Sequence, residues 1–265
     1  MVKGLYTAYT GMLNQQNKMD VISNNLANAA VTGYKKEGST SQSFDTVLAY
    51  KIRDRSIGVH TQRIGGMNLG VKIGENYTDY TQGPFKNTDN TYDLAISGNG
   101  FFCVQFTNKA GVTSTKYTRD GSFTVNTEGY LVTKDGDYVL NQTGAMNGDP
   151  REQNFIRLDP NAEIQVNKLG FITQNDQIVS TLGMVDIDNY DYLEKYGENL
   201  YNLLDGGNRV AADCQVEQGV LETSNVNVIK EMVNMITIQR AYEAGQKVIN
   251  SVDSTLERVV SLGKV

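Results

Sequence analysis

The chain has 265 residues, 39% of them hydrophobic and 20% charged, the composition of a folded chain long enough to bury a core. A net charge of −6 supplies no basic stripe to displace counterions from phosphates, which argues against nucleic-acid binding. No apolar run approaches the roughly 20 residues needed to cross a bilayer, so no membrane insertion is expected.

The opening residues Met1-Val2-Lys3-Gly4-Leu5-Tyr6 lack the apolar centre and small-residue cleavage site of a secretory signal. The chain is expected either to stay in the cytoplasm or to leave by a route without signal cleavage. From Leu5 the pattern is helical. Leu5, Met12, Met19 and Leu26 fall seven apart, Ala8 and Ile22 supply positions three later, and Gln15 is the polar exception. This stripe predicts a helix over the first thirty residues, closed at Thr32-Gly33. The adjacent basic pair Lys35-Lys36 reads as a solvated turn. His60, the single histidine, sits in a polar stretch and reads as a surface residue.

The middle of the chain changes period. Short alternating or apolar runs at 92–97, 100–107, 122–126, 130–133 and 138–141 are separated by Gly98-Asn99-Gly100, Arg119-Asp120-Gly121, Thr127-Glu128-Gly129 and Lys134-Asp135-Gly136-Asp137. Asn-Gly and Asp-Gly steps between such runs predict hairpin turns. Gly98-Asn99-Gly100 also opens a GxGxxG pattern, but Cys103 holds the third glycine position and no helix follows, so it too reads as a hairpin turn. Further strands are expected at 155–158, 163–167, 171–174, 177–180 and 184–187, followed by a short helix at 191–196.

The last forty residues return to helix period. Val228, Met235, Tyr242, Ile249 and Leu256 fall seven apart beside Ile238, Gly245, Val252 and Val259. They predict a helix over 225–261, capped by Ser224 or Asn225, with Glu231 in an acidic first stretch. Its apolar face is wider than a two-stranded seam requires, so it should touch more than one neighbour. The predicted fold class is α+β, with long N- and C-terminal helices pairing as a coiled-coil-like bundle around an inserted antiparallel β-rich domain. Residues 1–35 and 222–265 are expected to form a discontinuous helical polymerisation domain. An extended connecting segment would span 36–90 and 205–221, and a β-rich outer domain 91–204.

Catalytic groups do not converge in this pattern. One histidine removes multi-histidine metal sites, and Cys103 and Cys214 lack CxxC spacing. Two cysteines are too few for a disulfide framework and read as buried thiols. Asp135-Gly136-Asp137 and Asp186-Ile187-Asp188 lack the ligand series of a calcium loop and read as acidic turns. Paired carboxylates on a β-scaffold would suit glycoside hydrolysis, but that leaves both ends unexplained. The expectation is a structural protein, not an enzyme, without cofactor, metal or small-molecule substrate.

Several segments, in chain order, resemble the bacterial flagellar rod and hook family of axial proteins. They are Ser23-Asn24-Asn25-Leu26-Ala27-Asn28, Thr32-Gly33-Tyr34-Lys35, Gly83-Pro84-Phe85, the run from Asp93 to Phe102, and Tyr117-Thr118-Arg119-Asp120-Gly121-Ser122-Phe123. Gly197-Glu198-Asn199-Leu200-Tyr201, the run from Glu222 to Asn227, and the stretch from Glu231 through Gln239-Arg240-Ala241-Tyr242-Glu243 complete the set. The resemblance implies a subunit exported unfolded through the flagellar export apparatus, without signal cleavage. It would assemble with itself and with neighbouring rod and hook proteins into a helical tube that spans the cell envelope at the basal body and transmits motor torque to the hook. Length, the Gln239–Glu243 form and the stretch from Phe44 to Ile73 favour a distal rod position, with the proximal rod or another paralogue as the alternative.

Self-assembly is then expected to run through Leu5, Met12, Met19, Ile22 and Leu26 at one end, and Val228, Met235, Ile238, Tyr242, Ile249, Val252 and Leu256 at the other. Asn24, Asn25 and Asn28 carry two readings. They cap or turn the chain locally, or they pack in the tube wall and fix register between subunits. Both ends are expected to be frayed in the free subunit and to fold on assembly.

Overall fold

The computed structural model describes residues 2–51, 62–160, 162–197 and 199–262. His60 and Glu198 lie outside the described residues, as does part of the 44–73 stretch. The chain is α+β and divides into two compact units. One is built from Met1–Ala27, Lys36–Asp79 and Val226–Val265, the other from Asn28–Lys35 and Tyr80–Asn225. Among the described residues no helix is long and apolar enough to cross a membrane.

The first unit holds helices α1 (Val2–Ala27) and α3 (Val228–Leu262) together with β-strands. Strand Glu37–Ser43 pairs antiparallel with Val71–Thr78, and Val47–Lys51 with Gln62–Met67. α1 packs on α3 and on the first of these ribbons. A two-stranded ribbon is marginal alone, and α1 provides the surface that covers it.

α1 stops at Ala27, short of the expected limit, because the residues after it bond elsewhere. Gly33 N–H donates to Glu222 O at 2.8 Å and Asn199 Nδ2 donates to Thr32 O, both within the second unit. α3 starts three residues later than expected, and its cap is neither Ser224 nor Asn225. Asn227 Oδ1 accepts from Lys230 N–H at 3.1 Å, while the Asn225 amide is engaged by Thr81.

The second unit is a β-structure that includes a short α-helix, α2 (Gln142–Asn147), capped by Asn141 Oδ1 on Gly144 N–H. Its largest sheet runs in the order Leu193–Gly197, Leu200–Leu203, Thr113–Thr118, Phe101–Thr107, Tyr138–Val139, Leu131–Thr133 and Phe123–Val125. Strand Met184–Ile187 pairs with Phe101–Thr107 and carries Arg209–Ala211 on its other edge. Strand Phe101–Thr107 is the axis of this sheet. Phe102 and Val104 point into one apolar cluster with Leu94, Ile96, Phe123 and Ile156, whereas Phe101 and Cys103 point into a second with Tyr117, Leu140 and Tyr201. Period-two alternation with both faces buried explains why this stretch reads as almost continuously apolar.

The turns divide. Residues 126–129 and 134–137 close hairpins between consecutive strands, as their Gly and Asp content predicts. Gly98-Asn99-Gly100 does not. Leu94–Gly98 pairs with Cys214–Gln218, so the step carries the chain from one sheet to another, and Gly98 and Gly100 take φ of 110° and 136°. Arg119-Asp120-Gly121 likewise joins strands that do not pair with each other. Residues 155–158 form isolated bridges from Phe155 to Leu140 and Arg157 to Tyr130 instead of a strand. The helix expected at 191–196 is a single 3-10 turn, Tyr190–Tyr192, running into strand Leu193–Gly197. Thr113–Thr118 was not expected; its Ser, Thr and Lys content resembles a surface loop, yet it is an interior strand with Tyr117 and Thr118 buried.

The two cysteines are free and lie in or beside different apolar clusters. Burial pushes both thiols up from the ordinary range, Cys103 furthest. Since the thiolate is the nucleophile, an alkylating reagent at neutral pH should modify Cys103 in the folded protein at least about tenfold more slowly than in urea. Mass spectrometry over a time course reads this directly; equal rates would mean that the sheet opens at Cys103.

Candidate assembly surfaces

In the helical unit, Met235, Ile238, Tyr242, Gly245, Ile249 and Val252 of α3 form one half-buried stripe at alternating spacings of three and four. On α1, Leu5, Ala8, Met12, Met19 and Leu26 are half-buried and Ile22 is buried. The helices run antiparallel. Met12 lies against Gly245, and Lys36, beyond the α1 C-terminus, reaches Glu231 in the first turn of α3. A Cβ on Gly245 would stand 2.7 Å from Met12 Cγ, so the missing side chain is what permits this approach.

The two ends of the α3 stripe are less covered, Val228 being 43% and Leu256 38% exposed. With Met12 opposite Gly245, α3 beyond about residue 255 runs past the start of α1. The other side of α3 also carries apolar groups. Ile229, Met232, Val233 and Ile236 near its start are exposed there, whereas Val259 and Val260, exposed near its end, continue the side of the stripe. Beyond Ile236 on the same side stand exposed Arg240, Glu243 and Lys247.

A third surface of α1 is polar and buried. Thr10, Asn14, Val21 and Asn25 lie along it. The Asn14 amide and Ser41 hydroxyl bond to each other at 2.9 and 3.1 Å. Asn25, with no exposed surface, donates from Nδ2 to Glu37 O at 2.8 Å and accepts from Glu37 N–H at 2.9 Å. That amide behaves as one more strand residue paired with Glu37. Asn24 is exposed and Asn28 half-buried. Thr10 and Asn14 were not singled out from sequence; their spacing with Val21 and Asn25 was the signal available.

The second unit contains a buried ion cluster that the sequence did not announce. Lys35, expected in a solvated turn, is 1% exposed. Its Nζ donates to Glu222 Oε1 at 2.6 Å and to Thr81 O at 2.8 Å. Glu222 Oε1 also accepts from Gly83 N–H at 2.8 Å, and Oε2 from Arg119 Nη1 at 3.4 Å. The Arg119 guanidinium lies over the Phe101 ring, 5.1 Å from its centroid. The glycines of these segments fit the same place. A Cβ on Gly33, whose φ is 67°, would stand 2.5 Å from Asp120 N, and one on Gly83 would stand 2.0 Å from Thr223 O. Three segments far apart in sequence thus converge on the carboxylate of a fourth.

Such a chain, with its two ends joined in a helical unit that leaves apolar surface uncovered, has the form of an assembling structural subunit. Residues 5–35 match the family described as Flagella basal body rod protein, residues 95–186 the Flagellar hook protein FlgE/F/G D1 domain, and residues 217–262 the Flagellar basal body rod FlgEFG protein C-terminal. Along its length the chain is 35% identical to the flagellar basal-body rod protein FlgF of Caulobacter vibrioides, covering 100% of both. It is 33% identical to the flagellar basal-body rod protein FlgG of Bacillus subtilis, covering 99% of each. A FlgG of Buchnera aphidicola shares 32% identity over 99% of this chain and 100% of its own. The chain belongs to the flagellar basal-body rod protein family, and is a structural rod protein of the flagellum.

Two substitutions test the helical unit. Gly245→Leu should force Met12 aside and lower thermal stability by about 1–3 kcal/mol, as overpacking does, measured by the loss of helical circular dichroism. Asn25→Ala strands the Glu37 backbone and should cost about 2 kcal/mol or more; an unchanged melt would show that the two amide bonds contribute nothing.

Proposed function

We propose that the chain polymerises through its terminal helices into a helical tube that carries motor torque to the hook. The supporting observation is the second apolar face of α3. Surface of that size on a helix already packed against α1 costs solvation unless it is covered, and other copies of the chain are the occupants that a rod supplies. Head-to-tail contacts of this kind generate open helical arrays rather than closed rings. In this reading the polymerisation domain is 1–35 and 222–265, joined as a coiled-coil-like bundle. The β-rich part, 91–204, faces outward, with 36–90 and 205–221 connecting them.

The stripes Leu5, Met12, Met19, Ile22, Leu26 and Val228, Met235, Ile238, Tyr242, Ile249, Val252, Leu256 hold the bundle, and the exposed face of α3 makes the contact between copies. The subunit leaves the cell through the flagellar export apparatus without a cleaved signal, joins neighbouring rod and hook proteins in a rod that spans the envelope, and performs no catalysis. We place it in the distal rod, on its length and its Gln239-Arg240-Ala241-Tyr242-Glu243 segment. The chain is also 35% identical along its whole length to a basal-body rod protein of another name, the Caulobacter FlgF, which keeps a second reading, the proximal rod or another paralogue.

Val233→Glu places a charge in the exposed apolar face without touching the stripe that meets α1. The expected result is a monomer with wild-type circular dichroism that no longer forms rods or supports motility. Rod formation at the wild-type rate would remove α3 from the contact. Cross-linking and mass spectrometry of purified basal bodies separates the two positions: cross-links to hook-side subunits support the distal reading, and their absence beside cross-links to motor-side rod proteins supports the other.

A further inference from the structure

The ion cluster of the second unit joins the roots of both terminal helices. Lys35 ends the segment 28–35 that follows α1, and Glu222 ends strand Val220–Glu222, from which the chain continues toward α3. Arg119 belongs to the body of the β-structure, between strands Thr113–Thr118 and Phe123–Val125. Side-chain exposures of 1% for Lys35, 0% for Glu222 and 3% for Arg119 place all three charges out of water. Each root also bonds the other through its backbone, Gly33 N–H donating to Glu222 O at 2.8 Å. The C-terminal root is further tied to the β-structure by Thr223 N–H on Pro84 O at 2.9 Å.

A buried charge that loses its partner is far more costly than the same group in water, so such a cluster is stable complete and unstable in part. If 28–35 lifts away, Glu222 keeps only the 3.4 Å contact to Arg119 and the Gly83 amide. If the 220–223 strand lifts away, Lys35 loses its 2.6 Å contact and Arg119 its 3.4 Å contact to the one carboxylate that both share. We propose that Lys35, Glu222 and Arg119 form a both-or-neither lock, by which the roots of the two terminal helices seat on the β-structure together or not at all. The lock acts within a single chain and does not depend on the assembly reading. Its consequence is that a subunit orders the roots of both ends in one step, and a chain lacking either end holds neither root in place.

Hydrogen exchange on the full-length protein tests this at three amides. Gly33 reports the N-terminal root, Thr223 the C-terminal root, and Leu131, bonded to Ile156 O at 3.0 Å, the body of the unit. Lys35→Met should lower protection at Gly33 and at Thr223 by similar factors, on the order of a hundredfold, while Leu131 stays protected. Lys35→Met/Arg119→Met/Glu222→Met, which removes every charge of the cluster, should restore most of the protection at both roots. Three results would overturn the proposal. Thr223 could keep wild-type protection in Lys35→Met while Gly33 loses it, which would make the roots independent. The triple variant could be no better protected than the single one, so that charge pairing is not what couples them. Or Leu131 could lose protection in step with the roots, making the cluster a determinant of the whole unit rather than a lock on its ends.

Discussion

The carboxylate of Glu222 has no exposed surface, and a charge in that position must be answered from every side. Lys35 answers at 2.6 Å, the Gly83 amide at 2.8 Å and Arg119 at 3.4 Å. Each partner can arrive only if its own segment is folded in a particular way. Gly33 must take a left-handed conformation against Asp120, and Gly83 must pass the Thr223 carbonyl with no side chain. The cluster therefore constrains much more of the chain than three side chains would suggest. A hydrophobic cluster of the same volume is often as stable; what the charges add is direction, each contact requiring its partner at a particular place.

The helical unit follows a different principle. α3 satisfies its neighbour α1 with one stripe and still presents Ile229, Met232, Val233 and Ile236 to solvent. A chain whose working state was a monomer would gain by replacing these with charged residues. Their retention beside a stripe already in use is what a subunit with further neighbours requires. α1 is constrained on two sides as well. Its apolar stripe meets α3, while Thr10, Asn14 and Asn25 meet the strands that follow. Buried amides are poor core material unless they are bonded, and Asn25 donates to and accepts from the Glu37 backbone.

Much of this was legible in the sequence, and the reasons for the failures are physical. Helices at both ends were legible because their period is local, and Met235, Ile238, Tyr242, Gly245, Ile249 and Val252 are half-buried on α3, which meets α1 where Gly245 stands against Met12. Hairpins at 126–129 and 134–137 were legible for the same reason: turn chemistry and strand pairing are both local. Gly98-Asn99-Gly100 misled because its glycines serve a crossing between sheets, a fact set by strand Cys214–Gln218 more than a hundred residues away. Lys35 misled more seriously. A lysine beside another lysine and after Gly-Tyr has every local mark of a solvated turn, and only Glu222 makes it a buried one. The residues of the cluster lay within the segments that resemble the rod and hook family, so resemblance marked them where pattern could not say what they do.

The placement of Asn25 narrows where register between subunits can come from. The Asn25 amide has no exposed surface and is bonded both ways to Glu37 of its own chain, so it offers little to a neighbour. Apolar surface alone specifies alignment weakly, because it is non-directional and tolerates slip along a helix. On the assembly reading, directional groups must then lie on the exposed face of α3 itself. Arg240, Glu243 and Lys247 stand there, on the same side as the apolar group at Ile229–Ile236 and beyond it along the helix. The apolar group would supply the association energy, and the charged belt beside it would penalise any shift that brought like charges together. A rod loaded in torsion needs both, since the first resists separation and the second resists shear.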